Sequence, residues 1–141
     1  MFKDLETTQK GDAGEILVDK FLVEKGVMIY APILDGSHPV DRILYNSKKK
    51  QFFFADTKTK SCRELYPDSC IDVKDYKHYK EISEKFNIPV ILFFVDFKNK
   101  KCYGGNLEKI SKPYKGYPKY GMAKEELIYF PLELMDTFFD L

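Results

Sequence analysis

Two charged residues, Asp56 and Lys58, follow the most aromatic run of the sequence. They come directly after residues 52–55 (FFFA), which predict a buried strand. A spacing of two places both side chains on the same face of that strand. A charged pair at this point costs free energy unless it carries out chemistry or lies at the end of the strand. Asp56 and Lys58 are therefore the first candidates for a functional site.

Two further carboxylates precede this pair, on elements predicted to pack beside it. Asp41 lies on the preceding strand, which a short hairpin would pair antiparallel with the strand of Asp56. Glu15 lies on a predicted amphipathic helix, whose apolar stripe must be buried against the same sheet. Carboxylates gathered in this way repel one another unless a cation joins them, and oxygen ligands suit Mg²⁺ or Mn²⁺.

A lysine beside such a cation has a defined chemical use. The ammonium of Lys58 could orient a water, or its amine could deprotonate one, and the positive charge would offset charge developing on a phosphate. Three carboxylates and one lysine (Glu15, Asp41, Asp56 and Lys58) thus predict, in outline, a metal-dependent site that cleaves phosphodiester bonds.

At these residues the sequence resembles the PD-(D/E)XK, or restriction-endonuclease-like, nuclease superfamily. The family pattern is an acid on a hairpin strand, followed on the next strand by acid-any-lysine. The matching segments are residues 38–42 (HPVDR) and 56–58 (DTK). Members similar to archaeal Holliday-junction resolvases add a glutamate on the first helix, as in residues 11–15 (GDAGE). Residues 79–95 resemble the family's following helix and apolar strand.

The resemblance implies a role for each site residue and a class of substrate. Asp41 and Asp56 would bind Mg²⁺ or Mn²⁺, with the backbone carbonyl of Thr57 as a third ligand. Lys58 would position the attacking water, and Glu15 would bind a second metal or a metal-bound water. The implied activity is hydrolysis of DNA by an endonuclease or exonuclease.

The order of the predicted elements, αβββαβ, indicates an α/β fold with a mixed central sheet flanked by helices. The length of 141 residues is typical of one domain, with a core at about residues 8–97 and a basic Tyr/Lys-rich tail at about 104–141. The pattern predicts helices over residues 8–25, 72–86 and 131–139, a loop over 61–71, and strands over 27–34, 40–45, 51–57, 89–97, 101–104 and 127–130.

Residues 109–124 (KISKPYKGYPKYGMAK) carry five lysines and no acid, with tyrosines at every third position. In an extended segment this spacing aligns the tyrosines, which could stack on bases while the lysines follow the phosphate backbone. The alternative is a solvated loop whose tyrosines cover the edge of the core. The predicted nucleic-acid contacts are Lys60, Lys77, Lys112, Tyr114, Lys115, Tyr117 and Lys119.

Composition limits the partners and the compartment. The net charge is only +1, so any attraction to nucleic acid depends on where the lysines lie. Three widely spaced cysteines are typical of free thiols in a reducing compartment, which favours the cytoplasm. The first ten residues lack the apolar stretch of a secretory signal, and the longest apolar run, residues 89–95, is too short to cross a bilayer. The oligomeric state is open, with a homodimer as one alternative.

Each candidate residue also has a structural interpretation. Glu15 with Asp12 fits a capping box at the start of a helix. Asp41 could form a surface ion pair with its neighbour Arg42. For the whole chain, the alternatives are a non-catalytic nucleic-acid-binding module on the same fold and an interaction protein with a structural acidic cluster. Salt-dependent binding of DNA separates the last alternative from the other two.

Overall fold

The structure, a computed structural model, describes residues 2–31, 40–111 and 127–141, with side chains from residue 11 onward. The three helices are α1 (Phe2–Glu24), α2 (Val73–Phe86) and α3 (Leu107–Ile110). The first five strands are β1 (Met28–Tyr30), β2 (Arg42–Asn46), β3 (Gln51–Thr59), β4 (Asp68–Asp72) and β5 (Val90–Asp96). They are followed by β6 (Lys101–Asn106), β7 (Leu127–Pro131) and β8 (Asp136–Asp140).

Six strands form the main sheet, in the order β1-β2-β3-β5-β6-β8. Strands β3 and β5 pair in parallel, and every other neighbouring pair in this sheet is antiparallel. The parallel pair requires a crossover connection, which β4 and α2 supply. Strands β4 and β7 pair with each other in a separate two-stranded sheet. The predicted mixed α/β fold with a flanked central sheet is confirmed.

The main sheet is buried on both faces at its centre. On one face α1 packs through Val18 and Leu22 against residues that include Ala55 and Val95. On the other face α2 and the small sheet cover a cluster that includes Phe54, and Leu92 and Phe94 of β5 are completely buried. Residues 54–56 of β3 are therefore buried between the two layers, as predicted for a central strand, whereas Phe52 at the start of the aromatic run is 46% exposed.

The loop predicted before α2 differs from the structure at its end. The loop predicted over residues 61–71 is wrong for its last part, because residues 68–71 belong to β4. The sequence of β4 (DSCID) lacks a clear apolar pattern, and its pairing partner β7 lies far along the chain. Pairing at this distance is invisible to local sequence patterns.

The predicted closing helix over residues 131–139 is also wrong. Only Leu132–Leu134 form a single 3-10 turn, and Asp136–Asp140 form β8 at the edge of the main sheet. Phe138 and Phe139 pack against Phe21 of α1. This tertiary packing favours a strand over a helix in the segment. The predicted strand over residues 27–34 is described only as β1, and residues 32–34 lie outside the described ranges.

The cysteines are free thiols, as the sequence predicted. Cys62 and Cys70 are partly exposed and Cys102 is buried in the α1 face of the sheet. Within residues 2–31, 40–111 and 127–141, none of the helices combines the length and apolar character needed to cross a membrane.

Candidate active site

Asp41 and Asp56 meet where strands β2 and β3 separate. Arg42 pairs with Ala55 in the ladder, so the next opposing positions are Asp41 and Asp56. The backbone N–H of Asp41 donates to Oδ1 of Asp56 at 3.1 Å. The N–H of Thr57 donates to Oδ2 of Asp41 at 2.7 Å. Backbone hydrogen bonds thus fix both carboxylates at one end of the hairpin.

The electrostatic cost of this arrangement falls on Asp41. Burial, and next the charge of Asp56, raise the pKa of Asp41 to about 7, with a smaller contribution from Glu15. The hydrogen bond from the Thr57 N–H acts in the opposite direction. When no cation is bound, Asp41 is therefore partly protonated near neutral pH. A divalent cation between the carboxylates would remove this repulsion.

Lys58 bridges two carboxylates on the α2 side of β3. Its Nζ lies 3.1 Å from Oδ2 of Asp56 and 3.3 Å from Oδ2 of Asp75. Burial alone would lower the pKa of Lys58, but the charge of Asp56 and the contact with Tyr79 raise it above its ordinary value. Lys58 is therefore an ammonium at neutral pH, so it donates hydrogen bonds and does not act as a base.

Tyr79 of α2 completes the surroundings of Asp56. Its hydroxyl donates to Oδ2 of Asp56, the same atom that Lys58 contacts. Burial, and next the charge of Asp56, raise the pKa of Tyr79, so the phenol keeps its proton. Asp56 is itself only 6% exposed, and both of its oxygens have partners. The carboxylate is thus held in one orientation.

Glu15 follows Gly14, the residue at which α1 approaches the sheet closely. A Cβ atom at position 14 would overlap Oγ1 of Thr59 and would touch Val95. Only glycine allows this approach, and Glu15 follows it directly. The half-buried Glu15 lies near enough for its charge to raise the pKa of Asp41. Glu15 therefore influences Asp41 through its charge.

An ion pair one turn further along α1 ties this helix to the neighbouring strand. Nη2 of Arg42 lies 3.1 Å from Oδ2 of Asp19, and Nη1 donates to the carbonyl of Asp41 at 2.8 Å. The helix begins at Phe2, so Asp12 lies in its interior and is not its N-cap. The capping-box interpretation of Glu15 is therefore wrong, and Arg42 pairs with Asp19 in place of its neighbour's carboxylate.

Comparisons with known proteins decide the fold. No family model and no curated protein matches the sequence. The structure matches a Holliday junction resolvase, Hjc, from the archaeal hyperthermophile Archaeoglobus fulgidus. The match to Hjc has a TM-score of 0.60 at 8% sequence identity and covers 88% of this chain and 90% of the Hjc chain. D212, a nuclease from a fusselovirus, matches with a TM-score of 0.56 at 14% identity, over 95% and 86%. This chain has the restriction-endonuclease-like fold.

The structure also allows a test of whether Asp41 and Asp56 suit a metal. Among the side chains described from residue 11, no group of three His, Cys, Asp or Glu residues forms a ready-made metal cluster. Asp41 and Asp56 supply two carboxylates, which are hard oxygen ligands, and the negative charge of Asp56 disfavours ionisation of Asp41 when no cation is bound. Mg²⁺ usually binds proteins through one or two carboxylates and keeps several waters, so this pair fits it.

The predicted nucleic-acid contacts are only partly described. Lys60 directly follows the last residue of β3, and its Nζ donates to the carbonyl of Cys70 at 3.0 Å. Lys77 is exposed on α2. The other five predicted contacts lie outside the described residues: Lys112, Tyr114, Lys115, Tyr117 and Lys119.

Sequence reasoning missed two members of the site, Asp75 and Tyr79. Both lie on the first two turns of α2, four residues apart, which places them on one face of the helix. The predicted helix over residues 72–86 contains both residues, but the prediction assigned neither of them to the site. The available signal was a carboxylate one turn before a tyrosine, at the start of the helix that follows the acid-any-lysine strand.

Proposed function

We propose that this protein is a divalent-metal-dependent nuclease that hydrolyses phosphodiester bonds in DNA. The observation that supports this function is the contact among Asp41, Asp56 and Lys58 at one end of the β2–β3 hairpin. Two facing carboxylates and an ammonium within hydrogen-bonding distance are the groups that phosphodiester hydrolysis requires. They lie on a fold whose structural neighbours include a resolvase and a nuclease.

The cation would be Mg²⁺ or Mn²⁺, held by Asp41 and Asp56 with the backbone carbonyl of Thr57 as a third ligand. Glu15 would hold a second cation or a water bound to the first. When bound, the metal would supply Lewis acidity toward the phosphate and a more acidic water. In its absence the aspartates would repel the phosphate of a substrate.

The protein's own groups would orient the reacting partners. Lys58 would donate hydrogen bonds to the attacking water or to a phosphate oxygen, because its raised pKa keeps it positively charged. It would thereby stabilise the charge that develops in the transition state. Tyr79 and the N–H of Asp41 would hold the carboxylate of Asp56 in place throughout.

DNA is the proposed substrate class, in line with the Holliday junction resolvase among the structural neighbours. Lys77 lies exposed on α2, two residues from Asp75, and could contact a phosphate of a substrate bound at the site. The basic segment over residues 109–124 would add contacts to the backbone and the bases. With a net charge of +1, this binding would depend on local lysine clusters and weaken as salt rises.

A panel of DNA substrates tests the proposed function. Purified protein is incubated with supercoiled plasmid, linear duplex, single strands and a four-way junction, in Mg²⁺, Mn²⁺ or EDTA. We expect cleavage with either metal and none in EDTA, and nicking of the closed plasmid would indicate an endonuclease. The matched control is Asp56→Asn, which keeps the size of the side chain but removes its charge and should be inactive.

The alternatives give different results in the same panel. Salt-dependent binding without cleavage would favour a non-catalytic nucleic-acid-binding module. Neither binding nor cleavage would favour an interaction protein with a structural acidic cluster. Cleavage that persists in Asp56→Asn would assign the activity to another site or to a contaminant.

A further inference from the structure

Asp75 is a carboxylate on the first turn of α2 that contacts Lys58 together with Asp56. Its Oδ2 lies 3.3 Å from Nζ of Lys58, and the same Nζ lies 3.1 Å from Oδ2 of Asp56. The side chain of Asp75 is 41% exposed, whereas that of Lys58 is 24% exposed. The ammonium thus lies between a buried carboxylate and one that faces solvent.

Asp75 occupies a capping position of α2, but its side chain does not cap the helix. As the third residue of α2, a carboxylate here commonly bonds backward to the N-cap residue. In this structure the N-cap is Asp72, whose side chain makes no capping hydrogen bond, and the carboxylate of Asp75 instead accepts from Lys58. The favourable charge at the helix start remains, but the side chain is directed to the site.

We propose that Asp75 is the positioning residue for Lys58 in catalysis. The inference rests on the proposed nuclease function and adds a residue to it. Asp75 touches neither of the carboxylates proposed to bind metal, so its effect would pass through the lysine.

The need for a second anchor follows from the crowding at Asp56. Oδ2 of Asp56 already receives the Tyr79 hydroxyl and contacts Lys58. A cation held by Asp56 and Asp41 would draw on the same carboxylate and repel the ammonium beside it. Asp75 gives Lys58 a second carboxylate partner, which would keep Nζ within reach of the water or phosphate that it orients.

The test compares Asp75→Asn with Glu81→Gln, which makes the same chemical change at an exposed position of the same helix. Steady-state cleavage is measured with Mg²⁺ on the best substrate, and DNA binding is measured with Ca²⁺ in its place. We expect Asp75→Asn to lower kcat by about tenfold to a hundredfold, as loss of an orienting partner does. KM and DNA affinity should change by less than about threefold, because the phosphate contacts remain. Asp75→Glu should restore part of the rate.

A second measurement follows Lys58 directly and needs neither metal nor activity. The folded proteins are treated briefly with acetic anhydride, and acetylation at each lysine is quantified by peptide mass spectrometry, with Lys77 as the internal reference. Removing one of the two carboxylates should raise the acetylation of Lys58 about threefold or more in Asp75→Asn, but not in Glu81→Gln. Circular dichroism checks that each variant is folded. Asp75→Ser, which suits a helix start, replaces Asp75→Asn if that variant fails to fold.

The outcomes separate this inference from the proposed function. If the wild-type protein cleaves and Asp75→Asn cleaves equally well, the role of Asp75 is refuted and the nuclease function stands. A loss of rate with unchanged acetylation of Lys58 also refutes it, because Asp75 would then act by another route. If the wild-type protein cleaves nothing, the nuclease function fails and the catalytic role of Asp75 fails with it.

Discussion

Asp41 and Asp56 each accept a backbone N–H from the other's strand. The amide of Asp41 donates to Asp56 at 3.1 Å, and the amide that follows Asp56 donates to Asp41 at 2.7 Å. These two hydrogen bonds hold the carboxylates together in the absence of any cation. The folded protein therefore stores unfavourable charge repulsion at the place where a cation would bind.

The first prediction is that Asp41→Asn stabilises the metal-free protein at high pH. The folded pKa of Asp41 is about 7, above its ordinary value of 3.8. Ionisation therefore disfavours the folded state, and stability present below pH 4 is lost as the pH rises through 7. Asparagine stays neutral and still accepts from Thr57. In EDTA at pH 8, Asp41→Asn should be more stable by about 1–3 kcal/mol, discounted for solvent screening.

Urea unfolding in EDTA at pH 4.5 and pH 8 measures this difference, which should shrink at the lower pH. In saturating Mg²⁺ at pH 8 the order should reverse, because ligand binding stabilises only the protein that binds it. An equal difference at both pH values would contradict the proton-linked origin of the effect. Stabilisation of Asp41→Asn by Mg²⁺ to the same extent as the wild type would exclude Asp41 as a ligand.

Strand β3 could be predicted from the sequence because its signals are local. Asp56 and Lys58 are two residues apart, and the hairpin that brings Asp41 opposite them is short. The same is true of α2 and β5, whose apolar patterns persist over many residues. Local periodicity and a short turn thus fix the hairpin, with three of the four predicted site residues.

The remaining contacts depend on packing between distant segments. Tyr79 binds Asp56 only because α2 covers the sheet, and its apolar pattern does not distinguish a core tyrosine from one that donates to a carboxylate. The sequence pattern of β8 predicts a helix, because its pairing with β6 is a tertiary contact that local patterns do not reveal. Neither relationship has a local signature in one sequence.

The second prediction concerns the close approach of α1 at Gly14. A Cβ atom at position 14 would overlap Thr59, whereas position 11 of the same helix has open space around it. Gly11→Ala should stabilise the protein by about 0.5–1 kcal/mol through helix propensity. Gly14→Ala should be less stable than Gly11→Ala by about 1–3 kcal/mol because of overpacking. It should also lower cleavage by displacing Glu15.

Thermal unfolding and cleavage assays on both alanine variants check this prediction. The double variant Gly14→Ala with Thr59→Ala removes the overlapping Oγ1 and should recover stability relative to Gly14→Ala alone. Equal stability of Gly11→Ala and Gly14→Ala would show that the helix tolerates a methyl group at the contact, against the packing argument.

The third prediction is that Asp96, at the end of β5, stabilises the fold above pH 4. This carboxylate is fully buried, and its pKa falls to about 2. Burial alone would raise the pKa, but hydrogen bonds from Asn99, Tyr103 and Ser61 outweigh it. A lowered folded pKa gives stability that is present above the unfolded pKa and lost as the pH falls through 2.

Asp96→Asn should therefore lower the free energy of unfolding by about 2 kcal/mol or more at pH 7. Urea titrations at pH 7 and pH 2.5 provide the measurement, and the loss should be smaller at pH 2.5. A loss of the same size at both pH values would instead indicate that only hydrogen-bond geometry, and not charge, matters at this position.

The fourth prediction separates chemistry from folding at Lys58. Lys58→Met keeps most of the aliphatic stem and removes the ammonium, so cleavage should fall by at least about a hundredfold. The buried Asp56 loses its ammonium partner, which should cost about 1–3 kcal/mol of stability in EDTA. DNA affinity in Ca²⁺ should fall only by one contact among several. Lys85→Met, at an exposed position in the last turn of α2, serves as the control and should cleave normally. If Lys58→Met retains wild-type kcat, the ammonium takes no part in the reaction, and the assignment of the catalytic lysine must be abandoned.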